Sequence, residues 1–127
     1  VLVRLARALR QSDSTGLTPS QISALTALEE FGPMRISTLA ERETMAAPVA
    51  TRVIASLEQS GSVQRHDDPL DGRACVVALT DTGRESLERA GRERTVALSE
   101  RLERLSRSER AKLEAALPVL ERLAREA

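Results

Sequence analysis

The two side chains most often enlisted as catalytic base and thiol nucleophile are scarce in this sequence: among 127 residues there is one histidine, His66, and one cysteine, Cys75. A hydrolase needs a base beside its nucleophile, and His66 stands beside a turn rich in Asp and Pro with no glycine-flanked nucleophile near it. One Cys and one His cannot supply a zinc centre, so no metal, no cofactor and no catalytic residue is expected. What remains is recognition chemistry. In Asp67-Asp68-Pro69-Leu70-Asp71-Gly72-Arg73 a lone cation stands among three carboxylates. An arginine oriented by a neighbouring carboxylate suits a narrow, electronegative groove.

Composition narrows the partners. With 41% apolar residues the chain can build one compact domain. No apolar run approaches the ~20 residues needed to cross a bilayer, and no charged-then-apolar leader opens the sequence, so a cytoplasmic protein with no membrane partner is expected. Nineteen basic and nineteen acidic residues cancel. Attraction to nucleic acid must therefore be local.

Hydrophobic spacing supplies the elements that would hold these groups. Leu2, Leu5, Ala6 and Leu9 form the stripe of a first helix, opposite Arg4, Arg7 and Arg10. Thr18-Pro19-Ser20-Gln21 gives a second helix its N-cap, first-turn proline and capping-box glutamine. Ile22, Leu25 and Leu28 would face inward, and Phe31-Gly32-Pro33 stops it. A short helix burying Ile36, Leu39 and Ala40 follows, then a link from Glu43 to Ala46 and a helix from about Ala47 to Gln59. In that helix Ala50, Val53, Ile54 and Leu57 share the inner stripe, leaving Pro48, Thr51, Arg52 and Ala55 outside. Gly61 ends it in the left-handed conformation.

From Ser62 the period changes to two. Val63 and Arg65 alternate with polar neighbours, a turn spans His66 to Gly72, and Cys75, Val77 and Leu79 share a face, making Cys75 a small buried thiol. Thr80 caps a long helix running towards Leu105, and Ser106-Arg107-Ser108-Glu109 opens a last one that Pro118 should kink or deprive of a hydrogen bond. The fold class is mainly α with a small β-hairpin wing: a winged helix-turn-helix. The order suits DNA, because a helix about 10 to 12 Å across fits the major groove while a hairpin tip reaches the minor groove.

Asp71-Gly72-Arg73 followed by Leu79-Thr80-Asp81-Thr82-Gly83 resembles the D-x-R … L-T-x-x-G wing signature of the MarR family of bacterial transcriptional regulators. Residues 51–61 are similar to that family's recognition helix and residues 36–41 to its preceding helix, and the likeness spans essentially the whole chain. It implies a single domain, 1–127, with dimerisation helices at 1–11 and 84–127 and a winged lobe over about 18–83. It further implies a homodimer on a pseudo-palindromic operator, most simply a repressor relieved by a small lipophilic or anionic effector. Pro48, Thr51 and Arg52 would face the major groove of double-stranded DNA, with Ala47 and Val49 against thymine methyl groups. Arg73 would enter the minor groove, Ser37 and Thr38 would lie near phosphates, and Asp71 would orient Arg73.

No residue of an effector site is assigned by the sequence, and Phe31 is the one aromatic available to such a site. Gly72 and Ser56 stand where the family often has basic residues. From Arg35 to Arg73 five arginines face six acids, which disfavours non-specific phosphate binding. The rival reading is therefore a winged-helix protein-interaction module with weak or lost DNA binding. A small hydrolase serves as a control, requiring turnover that vanishes when His66 is replaced.

Overall fold

The computed structural model describes residues 1–126. Their elements are α1 (Leu2–Gln11), α2 (Pro19–Phe31), α3 (Ile36–Arg42), α4 (Ala47–Gln59), β1 (Val63–Asp68), β2 (Asp71–Leu79), α5 (Asp81–Glu103) and α6 (Arg107–Glu126). They divide into two compact units: Asp13–Glu93, and Val1–Ser12 together with the chain from Arg94 onward.

The core of the Asp13–Glu93 unit is built from the stripes that periodicity marks. Ala24, Leu25, Leu28, Leu39, Ile54, Leu57, Val63 and Val77 are buried together, and the fully enclosed Leu25, Ile54 and Leu57 join α2 to α4. Local chemistry sets the helix ends. The Thr18 hydroxyl accepts from the Gln21 N–H at 3.2 Å while the Gln21 side chain accepts from the Thr18 N–H at 2.8 Å, a complete capping box. Gly61, at φ 77°, lets its own N–H reach the Glu58 carbonyl and the Ser62 N–H reach that of Leu57, at 3.0 and 2.8 Å. Between α3 and α4, Thr44 takes φ 52°, which is uncommon for a β-branched residue.

The hairpin departs from expectation. His66, Asp67 and Asp68 belong to β1 and Asp71 and Gly72 to β2, so the long tip shrinks to Pro69 and Leu70. His66 pairs with Val76 and Asp67 with Cys75, and after a bulge Asp68 pairs with Asp71. Acid-rich sequence has low strand propensity, but main-chain pairing overrides it here. Cys75 is only half-buried, because its position near the tip lies beyond the core, and Arg65 Nη1 lies 3.9 Å from its sulfur. Met34, between α2 and α3, forms a bridge with Val77 through mutual main-chain bonds of 3.2 and 2.8 Å.

The α5 N-terminus packs against the end of α4. The Thr80 hydroxyl donates to the Gly61 carbonyl at 2.6 Å and accepts from the Gly83 N–H at 3.1 Å. A Cβ added to Gly83 would meet the Ser62 carbonyl oxygen at 2.1 Å, so this glycine is required by close approach.

In the second unit, Ser106 and Glu109 complete the expected capping box, with bonds of 2.9 and 3.1 Å. α6 continues through Pro118, whose ring removes the donor that the Glu114 carbonyl would use. Neither α1 nor α6 contains a buried residue. Leu2, Val3, Leu5, Leu117, Val119 and Leu123 are all exposed.

Candidate nucleic-acid interface

α4 presents two different faces because its inner stripe is spent on the core. Ala47, Pro48, Thr51 and Arg52 are exposed; Val49 is half-buried. The Thr51 hydroxyl donates to the Ala47 carbonyl at 3.0 Å, so its remaining capacity is as an acceptor, suited to the amino group of adenine or cytosine. Arg52 has no ion-pair partner among the described residues, which leaves its donor fork available. Ser37 and Thr38 are exposed on the first turn of α3.

Val49 lies with Arg52, Val53 and Ser56 of α4 and with Thr18 and Gln21 in a shallow depression of about 220 Å³. That is below the ~300 Å³ at which small-molecule sites begin. Gln21 Nε2 donates to Ser56 Oγ at 3.0 Å across it. Ser56, standing where a basic residue often occurs in the family, thus braces α4 against α2. Phe31 is about half exposed and has the Arg42 guanidinium 3.8 Å above its ring.

Three ties fix the wing. Two act on one rung, since Arg65 pairs with Val77: the Met34–Val77 bridge on β2 and Arg65 Nε on Glu58 Oε2 at 2.9 Å on β1; the third, Arg35, holds the tip. Arg35 Nε and Nη2 lie 2.8 and 2.7 Å from Asp68 Oδ2. Asp68 Oδ1 accepts from the Leu70 N–H at 2.9 Å and closes the turn.

Asp71 does not hold the Arg73 guanidinium as expected. Its Oδ1 instead accepts from the Arg73 main-chain N–H at 3.1 Å, and its Oδ2 is 3.9 Å from Arg35. Asp68 and Asp71 lie towards the start of α3, where Arg35 supplies the countercharge. The Arg73 side chain is exposed and without an ion-pair partner among the described residues. Sequence reasoning missed Arg35, since nothing local links it to a carboxylate 33 positions away.

The Leu70 N–H first, and then Arg35, hold the Asp68 carboxyl below the usual carboxylate range. A carboxyl whose pKa is lowered by folding contributes stability above its unfolded value of about 4, and that contribution is lost as pH falls through the folded value. Carbon-13 titration should therefore find the Asp68 midpoint below the ordinary aspartate value; a midpoint at or above that value would contradict this contact.

A model described as the MarR family matches residues 17–75, from the approach to α2 into β2. An HTH-type transcriptional regulator of Mycobacterium tuberculosis, MT0903.1, is 42% identical over 94% of this chain and 84% of its own length. The chain belongs to the MarR family. It is accordingly a DNA-binding transcriptional regulator and not an enzyme.

Solved MarR-like folds agree with the architecture. A putative transcriptional regulator of Pseudomonas aeruginosa is 32% identical, with TM-score 0.83 over 98% of this chain and 88% of that one. A MepR mutant from S. aureus, solved bound to an oligodeoxyribonucleotide, shares the fold at 19% identity and TM-score 0.75, over 96% of this chain and 91% of its own. Among the described residues of this MarR-family chain, no helix is long and apolar enough to cross a membrane, and no group of three or more His, Cys, Asp or Glu is placed to hold a metal ion.

Proposed function

We propose that the protein acts as a homodimer on a pseudo-palindromic operator, inserting α4 into the major groove and the wing tip into the flanking minor groove. The observation that carries this reading is the pair of exposed cations that have no ion-pair partner among the described residues, Arg52 on the outer face of α4 and Arg73 at the wing. Pro48 and Thr51 accompany Arg52 at base edges, Ala47 meets thymine methyl groups, and Val49, being half-buried, offers only part of its surface. Ser37 and Thr38 bond phosphates. Asp71 supports the wing through the Arg73 main chain.

The helices at 1–11 and 84–127 serve dimerisation and about 18–83 forms the DNA-binding lobe. The exposed leucines of α1 and α6 favour this division, since a soluble monomer seldom leaves so much apolar surface uncovered. Two recognition helices in such a dimer must match half-sites about one helical turn, ~34 Å, apart. A small lipophilic or anionic effector that changes their separation relieves repression. The protein works in the cytoplasm.

Alanine substitution separates the two contacts. Arg52→Ala should cost ~1 to 3 kcal/mol of operator binding and relax preference at one base pair in each half-site. Arg73→Ala should weaken binding chiefly to duplexes whose flanks are A·T-rich, because a narrow minor groove attracts a guanidinium. Competition binding with flank-substituted duplexes measures both. Equal losses on all duplexes for both variants would reduce the two arginines to non-specific phosphate contacts.

A further inference from the structure

The wing tip carries three carboxylates, Asp67, Asp68 and Asp71, and phosphate-lined grooves repel such a group. Arg35 precedes α3 as its N-cap residue and offers that helix no side-chain cap. Its guanidinium instead engages Asp68 Oδ2 through Nε and Nη2 at 2.8 and 2.7 Å and stands 3.9 Å from Asp71 Oδ2. The Asp68 side chain is only 10% exposed and also accepts from the Leu70 N–H, so one carboxylate closes the turn and receives the tie. An ion pair whose cation is 44% exposed contributes little to overall stability. Its value is geometric.

We propose that Arg35 is the positioning residue of the wing: by bonding Asp68 and standing beside Asp71 it fixes the tip to the start of α3 and sets one positive charge against two of its three acids. Arg73 is then the group that the tip presents to DNA. This rests on the reading of the wing as a minor-groove element. The Arg35 fork makes two contacts with Asp68, which a lysine ammonium cannot reproduce.

The test uses the full chain with Arg35→Ala, Arg35→Lys, Asp68→Asn and the double variant Arg35→Ala/Asp68→Asn. In the protein without DNA, amide hydrogen exchange at Leu70 and Arg73 should quicken about ten-fold or more in Arg35→Ala, while α4 amides keep their protection. Arg35→Lys should fall between Arg35→Ala and wild type. On an operator duplex, hydroxyl-radical protection of the flanking minor grooves should disappear and affinity should fall about ten-fold, within the range for a lost specific contact. The effect of Arg35→Ala should largely vanish in the Asp68→Asn background, as required of two groups acting as one pair.

Unchanged exchange at the tip in Arg35→Ala overturns the proposal, as does strict additivity of the two substitutions, which would make Arg35 an independent phosphate contact. If the wild type leaves the flanking minor grooves unprotected, the minor-groove reading fails instead. The exchange measurement still decides whether Arg35 holds the wing.

Discussion

Gly83→Ala should destabilise the Asp13–Glu93 unit by about 2 kcal/mol or more, although alanine is the better helix former by ~1 kcal/mol. The added methyl would lie 2.1 Å from the Ser62 carbonyl oxygen and 2.8 Å from Leu79 Cδ1. Leu79 can move; the Ser62 carbonyl cannot do so freely, because it accepts from the Thr80 N–H at 3.1 Å. Relief requires α5 to lift from the turn that ends α4, breaking the Thr80 contacts with Gly61 and Gly83. A unit of this size should lose about 10 °C or more of melting temperature. Thermal unfolding followed by circular dichroism measures it, with Gly91→Ala as a control, since a Cβ at Gly91 meets nothing within 4 Å. An unchanged or higher midpoint for Gly83→Ala would mean that this close approach does not exist in solution.

Leu117→Glu combined with Leu123→Glu should abolish the proposed dimer. Both leucines are about half exposed in the single chain, on a helix without any buried residue. Losing a buried leucine side chain costs ~2 to 5 kcal/mol, and burying an unpaired carboxylate costs more. Two such changes per subunit should weaken self-association by at least about a thousand-fold. Light scattering should then give the monomer mass at concentrations where the wild type is dimeric. Operator affinity should fall with it, because one lobe reads only one half-site. A double variant that remains dimeric would remove α6 from the interface.

Sequence carried the fold through signals that act over a few residues. Thr18 with Gln21 and Ser106 with Glu109 mark helix starts, and Gly61 marks a helix end, because each satisfies terminal main-chain groups by local geometry. The apolar stripes of α2, α3 and α4 were legible for the same reason, since periodicity alone selects the face that Leu25, Leu39, Ile54 and Leu57 bury. Less legible was anything decided by tertiary partners. Asp71 looks like the partner of Arg73 because the two are neighbours in sequence, yet its carboxylate bonds the Arg73 main chain and lies 3.9 Å from Arg35, which hydrophobic patterning could not show. His66 and Asp67 have turn-like surroundings and become strand because Val76 and Cys75 pair with them. The glycine of the Thr80–Gly83 segment was recognisable as a motif, while its cause, the Ser62 carbonyl, belongs to another turn.

At the candidate interface the outward face of α4 followed from helical period, whereas the availability of its arginine did not. Five arginines against six acids between residues 35 and 73 suggested poor phosphate affinity. The structure shows where that charge goes: Glu58 is paired with Arg65, and Asp68 with Arg35. Pairing takes up Arg35 and Arg65 along with these acids, so the balance is unchanged; what it fixes is place, and among the described residues Arg52 and Arg73 stand exposed without an ion-pair partner. Net charge along the chain thus says nothing of where its exposed cations stand.

Selection of duplexes from a random pool by the wild-type protein, followed by binding of the enriched sequence at two salt concentrations, tests the central claim most directly. The expected result is an inverted repeat with half-site centres about one helical turn apart, bound with an affinity that falls steeply as salt rises. A pool that yields no common sequence, or binding indifferent to salt, would contradict it and favour a winged-helix module that engages protein partners.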